Sequence, residues 1–298
     1  MRDYFFLLVN AASDVLKYNR FGSGLAVVFH LFNVKLREKH WARRGEYRVF
    51  GRTFCFDHVQ SLIHLLLEHF VHNVYYFRSE KEDPVIFDVG ANIGDSVFYF
   101  KHLFPRSRIF AFEPAGRPFA LLRKNVEAND LGGVHLYNEA LLDRDGALDL
   151  YLDEGTYLNT TSKRELIEAG SRRAAPAGEP RRIGAAASAD KPLAAERVAV
   201  RKFSARVAAL GIEHIDLLKI DIEGDEAALM RDVRQVIGLI DNIALEYHVL
   251  DDVRGNSLDS IFDVLRQGGF EFCVFNKYRT VANWTESNCF MVFARRKR

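Results

Sequence analysis

The chain has 298 residues, of which 48% are hydrophobic and 27% charged, and a net charge of +1; this is ordinary globular usage, enough for one large or two modest domains. A balance so near neutral gives the whole molecule no electrostatic footprint for nucleic acid. Cys55, Cys273 and Cys289 form neither a C-x-x-C pair nor a zinc spacing, so they read as buried thiols in a reducing compartment such as the cytoplasm.

The first 44 residues carry eight basic side chains against three acidic ones, a net +5 that leaves −4 for the rest. The apolar run Phe21 to Val34 is too short to span a bilayer. Basic residues and Trp41 follow it, so this segment reads either as a helical cap on the main domain or as a peripheral membrane contact. No cleavable secretory signal is expected, because the Phe5–Val9 run is short. Tyr47 to Phe56 alternates around Gly51-Arg52 and predicts a hairpin. Val59 to Phe70 has the apolar spacing of an amphipathic helix. Asn73 to Phe77 leads toward the first core strand, with tyrosines suited to roofing a ligand or to filling the core. Residues 1–84 are thus expected to form an N-terminal helical and hairpin cap, and 85–298 the main domain.

The segment VIFDVGANIGDS, Val85 to Ser96, predicts a buried strand ending near Asp88, a turn with Gly90 and Gly94, and a helix from about Asp95. A strand, a glycine turn and a helix N-terminus form a place where backbone approaches a ligand and where unpaired N–H groups meet an anionic or zwitterionic group. The dinucleotide pattern G-x-G-x-x-G lacks its middle glycine here. That disfavours a pyrophosphate and a dehydrogenase, and the segment resembles the first motif of class I S-adenosylmethionine-dependent methyltransferases. IFAFEP, Ile109 to Pro114, predicts the next strand, ending in Glu113. An acid at this distance is placed to accept both hydrogen bonds of a ribose diol.

From residue 85 the chain alternates strand and helix, the pattern of an α/β fold with a mostly parallel sheet covered on both faces. Strands are expected at 85–89, 108–112, 134–138, 215–220, 242–247, 270–275 and 288–294, and helices at 95–103, 116–128, 225–236 and 257–267. The last two strands lack room for a crossover helix and should pair antiparallel. This seven-stranded arrangement with an antiparallel last strand resembles the methyltransferase version of the Rossmann-like fold. After Gly146, ALDLYLD alternates as a short extra strand. Residues 163–199, rich in Ala, Pro and Arg, are expected to be a flexible insertion near the mouth of the site.

Ile215 to Leu229, IDLLKIDIEGDEAAL, brings Lys219, Asp221 and Glu223 to a strand's C-terminal end, where open α/β sheets bind ligands. Asp225 and Glu226 read as acids complementing a helix start. An inward Lys219 beside Asp221 and Glu223 reads as a paired polar site. Asn242 to His248, NIALEYH, puts Glu246 and His248 on one face of the neighbouring strand by the period of two. His248 is the general-base candidate, since its reference pKa lies near neutrality. Asp221 and Glu246 are also suited to a divalent metal, the less favoured route.

In order and spacing, DVGANIGDS, FAFEP, LLRKNVEAND, NEALLD, LLKIDIEGDE and ALEYH resemble the FkbM-type methyltransferases over roughly residues 46–295. The resemblance implies methyl transfer from S-adenosyl-L-methionine to oxygen, often a hydroxyl of a sugar, glycan or other small natural product. It implies that Asp88, Gly90, Asn92, Gly94 and Glu113 hold the cofactor, with Ser96 closing the motif and Asn138 and Ala140 near the adenine. Asp221, Glu223, Glu246 and His248 are the expected catalytic group. Two alternatives are an RNA methyltransferase and a non-catalytic S-adenosylmethionine-binding scaffold. The first is disfavoured because Asp221-Ile-Glu-Gly stands where amine methylation relies on an Asn/Asp-Pro-Pro-aromatic turn, and because the region is net acidic.

Overall fold

Five runs of apolar residues, each too short for a helix, build the centre of the molecule. A computed structural model of the protein describes residues 24–37, 45–152, 160–161, 194–249, 256–276 and 289–297. Helix α1 (Gly24–Arg37) precedes a hairpin, β1 (Gly45–Val49) and β2 (Arg52–Phe56). Its register pairs Val49 with Arg52, so Phe50 and Gly51 form the turn, one residue earlier than the spacing predicts. Both have positive φ, 48° and 83°, as a type I′ turn requires. Helix α2 (Val59–His64) continues as a π-helix, Leu65–Val71, where a single amphipathic helix was expected.

The Rossmann-like unit follows in chain order: β3 (Val85–Val89), α3 (Asp95–Leu103), β4 (Arg108–Phe112), α4 (Gly116–Glu127) and β5 (Val134–Tyr137). Next come β6 (Ala140–Leu142), β7 (Gly146–Leu152), β8 (Thr160–Thr161), β9 (Ala194–Lys202) and α5 (Phe203–Ala209). The chain closes with β10 (Leu217–Ile220), α6 (Glu226–Val233), β11 (Asn242–His248), α7 (Leu258–Gln267), β12 (Phe270–Asn276) and β13 (Cys289–Arg296). The main sheet has seven strands in the order β12-β13-β11-β10-β3-β4-β5. The five strands from β11 to β5 run parallel, and β13 is antiparallel to both of its neighbours. The class I methyltransferase arrangement expected from the sequence is therefore present.

Alternate residues of one strand feed opposite cores, because side chains switch faces at every step. Ile86, Ile109 and Leu217 join a cluster with Leu62, Leu65 and Phe70 of the N-terminal elements. Phe87, Phe110 and Leu218 join a second cluster with Leu229 and Leu265 of α6 and α7. The described residues before 84 thus share a core with the sheet. Each fully buried Leu or Phe contributes about 1.5–3 kcal/mol relative to exposure.

A second sheet, in the order β6-β9-β7-β8, corrects the expected insertion. Ala194 to Lys202 is strand, not a spacer extending to 199: Val198 and Val200 are buried at a period of two, and the strand pairs with Gly146–Leu152. The other residues of that insertion, 163–193, lie outside the described residues, as do residues 1–23 and 38–44 of the basic N-terminal segment. Among the described residues no helix is long and apolar enough to cross a membrane.

Candidate active site

The C-terminal ends of β3, β4 and β10 meet at one cavity, which encloses about 720 Å³ when its open mouth is included. Gly90 and Asn92 after β3, Glu113 after β4, Ala140 on β6, and Asp221 and Glu223 after β10 all line it. Leu141, Leu142, Leu148 and Leu150 of the second sheet supply an apolar wall.

The glycine turn is bare for packing reasons. Gly90 has φ 83°, and a Cβ there would lie 1.8 Å from the Asp221 carbonyl oxygen. Gly94 has φ 90°, and its Cβ would meet Leu122 Cδ1 at 2.7 Å. At both glycines the chain itself approaches closely, at Asp221 just after β10 and at Leu122 of α4, and Gly90 also lines the cavity. Between the two, Asn92 sits at φ 46° and turns its N–H to Glu113 Oε2 at 2.9 Å. Glu113 Oε1 accepts from the Ala115 N–H at 2.8 Å. Glu113 is 5% exposed; burial raises its carboxyl pKa to about 7, against the backbone hydrogen bonds that lower it.

Asp88, Gly94, Ser96 and Asn138 are not on the cavity wall. Asp88 is fully buried, accepts from Ser96 Oγ at 2.5 Å and faces Lys219 Nζ at 3.0 Å. Lys219 Nζ also donates to the Gly90 carbonyl at 2.5 Å. Burial lowers the Lys219 pKa, but the Asp88 and Asp221 charges outweigh it and hold the ammonium protonated. This buried pair fixes the turn from behind. Asn138 donates to the carbonyls of Glu113 and Pro114 and braces the loop that carries Glu113.

Of the four expected catalytic residues, Asp221 and Glu223 reach the cavity, while Glu246 and His248 stand behind them. The Tyr75 hydroxyl lies 3.1 Å from Asp221 Oδ2 and 3.3 Å from Glu246 Oε2, and its one proton serves the pair. Glu246 Oε1 accepts from Cys289 Sγ at 3.0 Å. Glu223 occupies the left-handed region at φ 53°, followed by Gly224 at 110°; such strain concentrates at functional sites. Burial raises its carboxyl pKa to about 7, although the His248 charge opposes that.

His248, expected as the general base, is not on the cavity wall and sits among carboxylates. Its Nδ1 lies 2.8 Å from Glu226 Oε1, and its Nε2 lies 3.4 Å from Glu223 and 3.6 Å from Glu246. Burial lowers its pKa, but these carboxylates outweigh that and raise it well above the ordinary value. That shift favours the protonated ring, which has no lone pair to accept a proton. Glu226 is the acid of α6's first turn, as expected, and it is also fully buried, accepting from the Gly224 N–H and Asn256 and pairing with His248.

Sequence reasoning left out Glu139, which lines the cavity and is held by both ends of the Arg206 guanidinium. Its signal was its place in NEALLD, between the expected Asn138 and Ala140. Tyr75 was seen only as a roof or as core filling; its hydroxyl's reach to Asp221 depends on a contact 146 positions away along the chain.

Residues 88–272 match the model of a family described as the methyltransferase FkbM domain. A methyltransferase of Sordaria araneosa, sdnD, is 30% identical over 237 residues, covering 77% of this chain and 88% of that protein. The 2-O-methyltransferase NoeI of Sinorhizobium fredii is 28% identical and covers 65% of this chain and 76% of its own. The 31-O-demethyl-FK506 methyltransferase FkbM of Streptomyces tacrolimicus is 31% identical, covering 62% and 72%.

Proposed function

The chain belongs to the FkbM methyltransferase family, and from that premise we propose that it transfers a methyl group from S-adenosylmethionine to a hydroxyl oxygen of a sugar, glycan or small natural product. Two relatives carry O-methylation in their names. The observation that carries the reading is that Glu113 and the pair Asp221–Glu223 line one cavity. In this reading Glu113 seats the ribose of the cofactor and the Asp221–Glu223 pair supplies the proton acceptor for the substrate.

The residues fit the cofactor. Glu113 spends one lone pair of each oxygen on backbone N–H groups and keeps others for a diol. Leu141, Leu142 and Leu148 give a flat ring an apolar wall. S-adenosylmethionine supplies, when bound, a methyl group already activated on a sulfonium, so alignment governs the displacement. The acceptor hydroxyl still has to lose its proton. Glu223 takes that proton: it lines the cavity, and a pKa of about 7 suits a base working near neutrality. Asp221, oriented by the Tyr75 hydroxyl, accepts a hydrogen bond from the substrate. His248 stays charged and keeps Glu223 from becoming too weak an acid to ionise.

The test has two arms. Calorimetry with S-adenosylmethionine alone should show binding, and its absence refutes the reading. Release of S-adenosylhomocysteine is then followed over a panel of glycosides and macrolide alcohols. With an accepted substrate, Glu223→Gln should lower turnover about 10²-fold or more and leave cofactor affinity nearly intact. Wild-type turnover in that variant removes Glu223 as the base.

A further inference from the structure

Outside the cavity, a second polar cluster joins the N-terminal elements to the first turn of α3. His64 ends α2, Glu68 and His69 lie on the π-helix, and Asp95 opens α3. Asp95 Oδ2 is 3.3 Å from His64 Nδ1 and 3.2 Å from His69 Nε2. One ligand atom from each of the three residues falls within 4.8 Å of the others. His69 is 1% exposed, yet neither of its ring nitrogens makes a hydrogen bond of sound geometry among the described residues. Leaving a buried polar group in that state is costly, and π-helical turns concentrate at functional sites.

We propose that His64, His69 and Asp95 bind a zinc ion. Two imidazole nitrogens and one carboxylate oxygen form the donor set of three-ligand zinc sites, with water as the fourth ligand. With zinc–ligand bonds of about 2.0–2.1 Å, the edge of a tetrahedron is about 3.3 Å, which is the spacing of both histidine contacts to Asp95. His64 Nε2 lies 2.8 Å from Glu68 Oε1, so with a metal on Nδ1 the ring's N–H at Nε2 would donate to Glu68. An outer carboxylate orients ligating histidines in this way. Without a cation, His64 must carry protons on both nitrogens to serve both carboxylates, and a metal on Nδ1 replaces one of them. His69 is held beside the rings of Tyr75 and Tyr99, with centroids 5.4 and 5.6 Å away. The His64 and Asp95 side chains keep 31% and 16% of their exposure, which leaves a path for the ion and its water. None of the three lines the cavity.

Full-length protein, stripped with a chelator and dialysed, is titrated with Zn²⁺ against a chromophoric competitor. One tight site per chain is expected, together with a rise in Tm on adding zinc. His69→Ala should abolish both, and Glu68→Gln should weaken affinity about 10–100-fold. If His69→Ala does not fold, His64→Ala, at a more exposed position, takes its place. Absence of zinc binding by the wild type overturns the proposal, as does a wild-type affinity in the folded histidine variant. A site that survives there but vanishes in His248→Ala also overturns it, by placing the ion among the carboxylates of the cavity.

Discussion

Replacing Glu113 by alanine removes two tasks at once. In the folded protein its carboxylate satisfies the N–H groups of Asn92 and Ala115. Removing it leaves two buried donors unmet, at about 1–3 kcal/mol each, so the thermal midpoint should fall. Glu113→Gln keeps one acceptor oxygen but turns its NH2 toward the Asn92 or Ala115 N–H, so its thermal midpoint is measured beside its cofactor affinity to set that structural cost apart from the ribose. Two hydrogen bonds from a diol to a charged acceptor are worth about 1.5 kcal/mol each at the low end. The neutral amide should then lose about 3 kcal/mol of cofactor binding, roughly a hundredfold in Kd. Because burial raises the Glu113 pKa to about 7, the full difference should appear at roughly pH 8.5, where the acid is ionised. It should shrink below pH 7, where wild type and variant are both neutral. The assay is calorimetric titration with S-adenosylhomocysteine at both pH values. An unchanged Kd in Glu113→Gln at the higher pH refutes the ribose assignment.

Gly90→Ala should prevent correct docking of the turn on β10, because its Cβ would stand 1.8 Å from the Asp221 carbonyl oxygen; loss of cofactor binding by calorimetry checks this, and wild-type affinity counts against it. Stability should also depend on pH in one direction above the carboxylate range. Glu113 and Glu223 are raised from 4.5 to about 7, and His248 is raised above 6.5. Their contributions are complete below the unfolded pKa values and are lost as pH rises through the folded ones. The urea midpoint should therefore fall between roughly pH 5 and pH 8, and Glu223→Gln should flatten the fall. A midpoint that climbs with pH over that interval contradicts the burial of these acids. Turnover should move the other way, rising with pH through about 7 as Glu223 ionises.

The fold was legible because its strands are short, apolar and separated by helix-length segments. The antiparallel final pair followed from a connection too short for a crossover. Ala194 to Lys202 escaped notice for a compositional reason: its two alternating valines sit at the end of an Ala- and Pro-rich stretch, and only the partner Gly146–Leu152 gives that alternation a face to bury. The π-helix was equally hidden, since its apolar spacing also suits an α-helix and its register depends on what it packs against.

The sequence by itself determined which residues stand at the ends of which strands, because strand period and glycine turns are local properties. That was enough to bring Gly90, Asn92, Glu113, Asp221 and Glu223 to one cavity. Only the tertiary structure decided what each group does there. Protonation depends on burial and on neighbours distant in sequence: three glutamates around His248 raise its pKa, and burial raises that of Glu223. Likewise Gly90 owes its missing side chain to an oxygen 131 residues further along the chain, a contact that no local pattern encodes.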